Sequence, residues 1–281
     1  MDMMDLAQTL GDPASRLGTR HLHVHGEPIV NLEVIEEYYD AAPRPLATVE
    51  EIGPFTLFVR NDPTGWPYYA RPRLGGVGRF TVDDISVVLA RQATLGEPAA
   101  LEWVHEVTPT LRDAAQAAGL VVESCPLLAL PRGSELPMPH LPARHHVEQL
   151  TDDSPRLADV LGAIGAAFSE VDTWSDSGTG PWPGLLSAGL TRLVGAFESG
   201  DAVGGGSHSP RGTTTELTGI GVLPKARGQS IGGVITAVLA EDARALGVET
   251  IFLSAQDDAV ARVYARVGFE NVATACIASS P

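Results

Sequence analysis

Lysine is nearly missing from this 281-residue sequence: Lys225 is the single one, and 18 arginines supply the rest of the 19 cations. Against them stand 35 acidic residues, a net charge of −16. That balance excludes sequence-independent nucleic-acid binding, which needs clustered cations to displace counterions, and it disfavours docking on anionic lipid. Any cationic site must be local. Cysteine is also scarce. Cys125 and Cys276 lie far apart and form no metal or redox motif, the pattern of a reduced, cytoplasmic protein. No apolar run approaches the length that spans a bilayer, and the first twenty residues have no basic start followed by an apolar block, so no secretory signal is expected. What remains is a chain with 44% hydrophobic and 19% charged residues, able to pack one large domain or two ordinary ones.

Two histidine groups stand out, His21, His23 and His25, then His145 and His146. The first has the alternation of a metal-ligand run but no thiol partner nearby, and a solvated segment is the preferred reading, with no metal site. Residues 131–142, PRGSELPMPHLP, carry four prolines and read as a linker between a first half, 1–130, and a second, 143–281. In the second half the apolar spacing predicts a strand at 147–150, a helix at 155–168, a loop rich in acids, glycine and tryptophan at 170–184, a hairpin of strands at 192–197 and 202–208, and a strand at 213–222. A long helix follows, with Ile231, Val234, Ile235, Val238, Leu239, Ala245 and Leu246 on one stripe that Asp242 interrupts toward a less buried end. Then come a buried strand at 250–254, a short helix opened by Asp257 and Asp258, Gly268-Phe269, and a last strand at 272–278.

The chemistry sits between strand and long helix, in Val222-x-Pro224-x-x-Arg227-Gly228-Gln229-Ser230-Ile231-Gly232. Successive N–H groups at a helix start form an anion pocket, and small residues let a phosphate approach. Read alone, this is equally an ordinary turn before a helix. In context, Arg227-x-x-Ser230-x-Gly232 resembles the acyl-CoA pyrophosphate loop of the GNAT superfamily of N-acetyltransferases, Q/R-x-x-G-x-G/A. Ile220-Gly221-Val222-Leu223-Pro224 resembles that family's fourth strand, and Val263-Tyr264-x-x-Val267-Gly268-Phe269 its L-Y-x-x-x-G-F signature. The resemblance spans about residues 144–281. It implies an α/β fold of the α+β kind: a mixed central sheet flanked by helices, duplicated in a tandem arrangement.

The resemblance also implies roles. Ile220, Gly221 and Val222 would hold pantetheine by strand-like bonds, Arg227, Gly228, Gln229, Ser230, Ile231 and Gly232 would hold the pyrophosphate of acetyl-CoA, and Tyr264 would protonate the departing thiolate. Ser230 stands where the family has glycine, with a hydroxyl suited to an N-cap. Asp257 stands where asparagine is common, which puts its contact to the pantetheine arm in doubt. Glu216, four residues before Ile220, is the candidate general base, because a partly buried carboxylate with a raised pKa can take a proton from an ammonium. An exposed strand carboxylate is the competing reading, and Glu198 and Asp172 are reserves.

The first half resembles a faded copy. Arg73-x-x-Gly76-x-Gly78 fits the same loop, but Thr81 to Asp84 would start the helix late, and aligning Gly119 with Gly268 puts Ala115 where Tyr264 stands. A degenerate domain without activity, walling the acceptor site, is expected. In the loop after the second half's first helix, Asp172, Trp174 and Asp176 suit a cationic amine through charge and cation–π contact, or else form a solvated loop with aromatics tucked into the core. The reading is therefore an N-acetyltransferase acting on a small-molecule or peptide amine, with no nucleic acid and no membrane partner, and with homodimerisation left open. The alternative is a non-catalytic acyl-CoA-binding or sensing protein.

Overall fold

The computed structural model describes residues 30–63, 65–76, 78–175 and 178–281. The histidine run at residues 21–25 lies outside them. In the first half, α1 (Leu32–Ala41) is capped by the Asn31 side chain, which accepts from Glu33 N–H. It is followed by β1 (Ala47–Ile52), β2 (Phe55–Arg60), β3 (Ala70–Pro72), α2 (Val82–Leu95), β4 (Ala100–Val104), α3 (Thr110–Ala117) and β5 (Val121–Ala129). The second half runs β6 (His145–Leu150), α4 (Leu157–Phe168), α5 (Trp182–Ser187), β7 (Arg192–Glu198), β8 (Asp201–His208), β9 (Thr214–Val222), α6 (Ile231–Ala245), β10 (Thr250–Ser254), α7 (Asp258–Ala265) and β11 (Glu270–Ser279). The two halves repeat one topology: a run of antiparallel strands, a helical crossover to a parallel strand, a short helix and a last strand.

All eleven strands join one sheet in the order β1-β2-β3-β4-β11-β5-β10-β9-β8-β7-β6. The last strands are exchanged. β11, the end of the second half, pairs with β4 of the first, and β5, the end of the first half, pairs with β10 of the second. β5 and β11 pair with each other over nine positions, with one register shift. The described residues of the two halves are thus successive in sequence but not separable in space, because each half would lose a sheet neighbour without the other. Alternation could not reveal this, since a strand's pattern specifies a face and not a neighbour. A core of both halves lies over the exchange, with Ile35, Tyr38 and Tyr39 of α1 packed on Val104, Leu127, Phe252 and Ala275.

In the second half α4 and α6 cover opposite faces. A side-chain carbon at Gly205 would meet Val160 and Ile164 of α4, and one at Gly206 would meet Ile235 and Leu239 of α6. Glycines in a buried strand weaken it locally, and here these two admit both helices to close approach. Residues 131–142 do not hang free: Leu136 and Leu141 pack on the main core, and Pro139 lies over Gly233 of α6. The α6 stripe ends as its sequence suggests, with Leu246 52% exposed. Asp242, however, marks more than a solvated end. Its carboxylate accepts from Arg192 and lies 2.8 Å from Nε2 of buried His208. Two partners across the sheet make a carboxylate tolerable at an otherwise apolar position.

Candidate functional site

The site is a split in the sheet. β9 pairs with β10 in parallel only from Thr214–Thr250 to Glu216–Phe252. Beyond Glu216, β9 runs on to Val222 with its β10-facing edge open. A bulge drives the separation: Gly219 and Ile220 stand opposite Gly206 alone, and Gly219 takes φ +63°, a left-handed value that favours glycine. The Leu223 N–H turns to Val203 on β8 at 2.9 Å, so by strand alternation the main chain of Val222, and of Ile220 before it, faces the open edge. The Val222 carbonyl accepts from Arg227 Nε at 3.0 Å, which leaves its N–H for a ligand.

The turn into α6 is open in the same direction. Gly228 and Ser230 have φ of +75° and +65°. Ser230 occupies the N-cap position but makes no side-chain capping bond, contrary to the expectation from its hydroxyl. The left-handed backbone is the reason, since a capping serine needs extended φ and ψ. The first-turn amides of α6 therefore have no side-chain acceptor among the described residues, the condition for binding an anion there. Arg227 is turned elsewhere: its guanidinium binds both oxygens of Glu170, at 2.7 and 2.9 Å, and the Ala167 carbonyl at 3.1 Å. The Gln229 side chain accepts from Arg144 at 2.8 Å. What residues 227–232 offer a diphosphate is main chain rather than side chain. Acetyl-CoA fits these features, an open strand edge leading to an uncapped helix start.

Tyr264 on α7 is 7% exposed, and its hydroxyl makes no hydrogen bond among the described residues. Burial pushes its pKa up to about 12, so the phenol stays protonated. Asp257 caps α7, accepting from Val260 N–H at 2.8 Å. The acceptor-loop residues are engaged otherwise. Asp172 accepts from the Lys225 N–H at 2.8 Å. Trp174 lies directly over Gly162 of α4, where a side-chain carbon would overlap it. Asp176 lies outside the described residues. Glu198 pairs with Arg144 at 2.8 Å, on the hairpin beside β6.

Glu216 sits at the vertex of the split, half-buried, and its surroundings come largely from the first half. The Tyr39 hydroxyl donates to Glu216 Oε1 at 3.0 Å. The Arg71 guanidinium lies over the Tyr39 ring, 4.0 Å from its centre. Arg71 in turn binds Glu102 at 2.6 Å and Glu36 at 3.3 Å, and Glu36 accepts from Val104 N–H at 2.8 Å. Burial, and after it the Glu102 charge, raise the Glu216 pKa, Tyr39 and Arg71 hold it down, and the balance of the four is about 8. Nothing in the alternation of residues 30–42 singles out Tyr39; the only signal was the adjacent tyrosine pair on a helix with one apolar face.

The corresponding place in the first half is closed. Thr81 and Asp84 form a reciprocal capping box at the start of α2, so its amides already face a carboxylate. Arg73 pairs with Glu51, and Ala115 is buried in the local core. No group of three or more metal-ligating side chains occurs among the described residues, and no helix there is long and apolar enough to cross a membrane.

Residues 164–269 match the sequence profile of the acetyltransferase (GNAT) family. No curated protein matches the chain. Among solved structures, a GCN5-related N-acetyltransferase from Kribbella flavida superposes with a TM-score of 0.70 at 21% identity, over 89% of this chain and 95% of that one. A tandem GNAT protein from the clavulanic acid biosynthesis pathway gives 0.54 at 14% identity, covering 80% and 78%. A GNAT-family acetyltransferase from Novosphingobium aromaticivorans gives 0.52 at 18%, covering 85% and 92%.

Proposed function

We propose that the protein, whose residues 164–269 match the profile of the acetyltransferase (GNAT) family, is an N-acetyltransferase that moves an acetyl group from acetyl-CoA to a primary amine by direct attack. The observation that carries this reading is Glu216, a half-buried carboxylate with a raised pKa, at the point where β9 and β10 part. The thioester supplies an activated acyl group. Val222, and Ile220 before it, would hold the pantetheine arm along the open strand edge, and the main chain of residues 227–232 would hold the diphosphate.

A carboxylate near 8 is matched to an amine at neutral pH: basic enough to take the proton of an ammonium, and still partly ionised. Tyr264 serves the other end. A phenol at about 12 is a weaker acid than a thiol near roughly 8.5, so complete transfer to sulfur is uphill. Its contribution is a hydrogen bond to the sulfur as negative charge develops there, with solvent supplying the final proton.

The acceptor we favour is a small cationic amine, which suits the acidic excess of the chain, a net charge of −16. The two free cysteines, Cys125 and Cys276, support a reducing, cytoplasmic setting. The test is mass spectrometry of amines incubated with protein and acetyl-CoA, which should find one acetyl group added per amine. An acyl-CoA sensor would bind the thioester and modify nothing.

A further inference from the structure

The strongest feature outside the family motif is the chain of contacts that reaches Glu216 from the other half of the molecule. We propose that Tyr39 is a positioning residue for the Glu216 carboxylate, held by Arg71 and Glu102, so that the first half completes the acyl-transfer site of the second. This rests on the reading of Glu216 as base.

Three observations converge. The Tyr39 hydroxyl donates to Glu216 Oε1 at 3.0 Å. Its ring is fixed on two sides, edge-on to Phe252 at 5.4 Å and under Arg71 at 4.0 Å. Arg71 is 4% exposed and anchored by Glu36 and Glu102, so this cation cannot swing away without leaving two carboxylates without their counter-charge. A donor fixed in this way holds one carboxylate oxygen in place and leaves the other for an amine. It also stabilises the ionised form, opposing burial and the Glu102 charge. The groups around Glu216 are Glu36, Tyr38 and Tyr39 from α1, Arg71 from β3, Glu102 from β4, and Arg211 ahead of β9. β10 contributes Phe252 and no ionisable group.

The exchange of β5 and β11 explains why the helix of one half can serve the other. It brings β4 and β10 under the same helix, whose tyrosines then reach across Phe252 to β9. A faded first half that only supported the second would not need a buried cation with two carboxylates behind a single phenol.

The test is the titration of Glu216 itself, read by NMR of ¹³C-labelled glutamate carboxyl carbons in the full chain, with the resonance assigned by its loss in Glu216→Gln. Tyr39→Phe removes one oxygen and keeps the ring packing. It should raise the Glu216 midpoint by about 1–2 pH units, the worth of a hydrogen bond to a charged group. Tyr38→Phe, on the same helix, loses a hydroxyl that donates to the Ser209 carbonyl and meets Glu216 at its main chain rather than at its carboxyl, and should move the midpoint much less. With an amine found to be acetylated, Tyr39→Phe should lower kcat/KM about tenfold at neutral pH and recover at alkaline pH, whereas a merely structural loss would persist at every pH. A midpoint unmoved by Tyr39→Phe, or moved equally by Tyr38→Phe, overturns the inference. Full turnover in Glu216→Gln would instead overturn the reading of Glu216 as base, a separate failure.

Discussion

The Arg227 guanidinium is bound to both carboxylate oxygens of Glu170, at 2.7 and 2.9 Å. One of the few cations in an acidic chain therefore sits in the turn before α6 already paired, and it also ties that turn to β9 and α4 through the carbonyls of Val222 and Ala167. Its function there is to hold the loop rather than to supply free charge. Arg227→Ala should raise the KM for acetyl-CoA about tenfold with kcat little changed. Glu170→Gln, which frees the guanidinium, should tighten CoA binding a few-fold at low ionic strength, a gain lost at high salt because both groups are exposed. Initial-rate kinetics checks the first, and titration calorimetry at two salt concentrations the second.

Tyr264→Phe should slow acetyl transfer about a hundredfold and change the dissociation constant of CoA by no more than about twofold. The hydroxyl has no partner to lose among the described residues, so the fold should be unaffected. Unchanged turnover removes Tyr264 from the mechanism.

Calorimetry should also give one CoA per chain. Asp84 occupies the start of α2 in the first half, where an incoming diphosphate would meet its charge. Two molecules bound per chain would mean that the first half keeps a working site.

Glu216 makes a linked prediction for stability. Its folded pKa, about 8, exceeds the ordinary carboxylate value of about 4.3. The folded state therefore binds its proton more tightly than the unfolded one, and stability falls as pH rises through that interval. Glu216→Gln should raise Tm by roughly 2–5 °C at alkaline pH, and by less at pH 5, while lowering activity. Asp242 works in the other direction. Arg192 and His208 hold it below the ordinary range, so its contribution is present above about pH 4 and lost on acidification. Asp242→Ala should lower Tm by roughly 4–8 °C at neutral pH by leaving Arg192 without its carboxylate and Nε2 of buried His208 without its acceptor. Thermal melts across pH distinguish the two.

Much of the second half was legible from the sequence because its elements carry their own periods. The α6 stripe, the 192–208 hairpin and Gly268-Phe269 each announce one element, and β10 occupies the residues that the apolar run 250–254 indicates. The strand exchange was not legible. β5 and β11 read as ordinary closing strands, and which edge they join is decided by tertiary packing. Ser230 misled because a hydroxyl before a helix suggests a cap, and only the backbone shows a left-handed residue there. Composition left Trp174 and Asp172 open between acceptor ligands and a solvated loop with aromatics tucked into the core; the fold packs Trp174 on α4 and gives Asp172 a backbone amide. Tyr39 was invisible, because its significance lies in a contact across 177 positions of sequence.

The central claim is that the chain transfers an acetyl group from a thioester to an amine with Glu216 as base. The direct measurement is thiol release from acetyl-CoA across a panel of amines, wild type against Glu216→Gln at matched pH. The account predicts amine-dependent release by wild type, rising with pH through about 8, and a loss of about a hundredfold or more in the variant. Tight CoA binding with no amine-dependent thiol release from wild type would contradict it and identify a sensor.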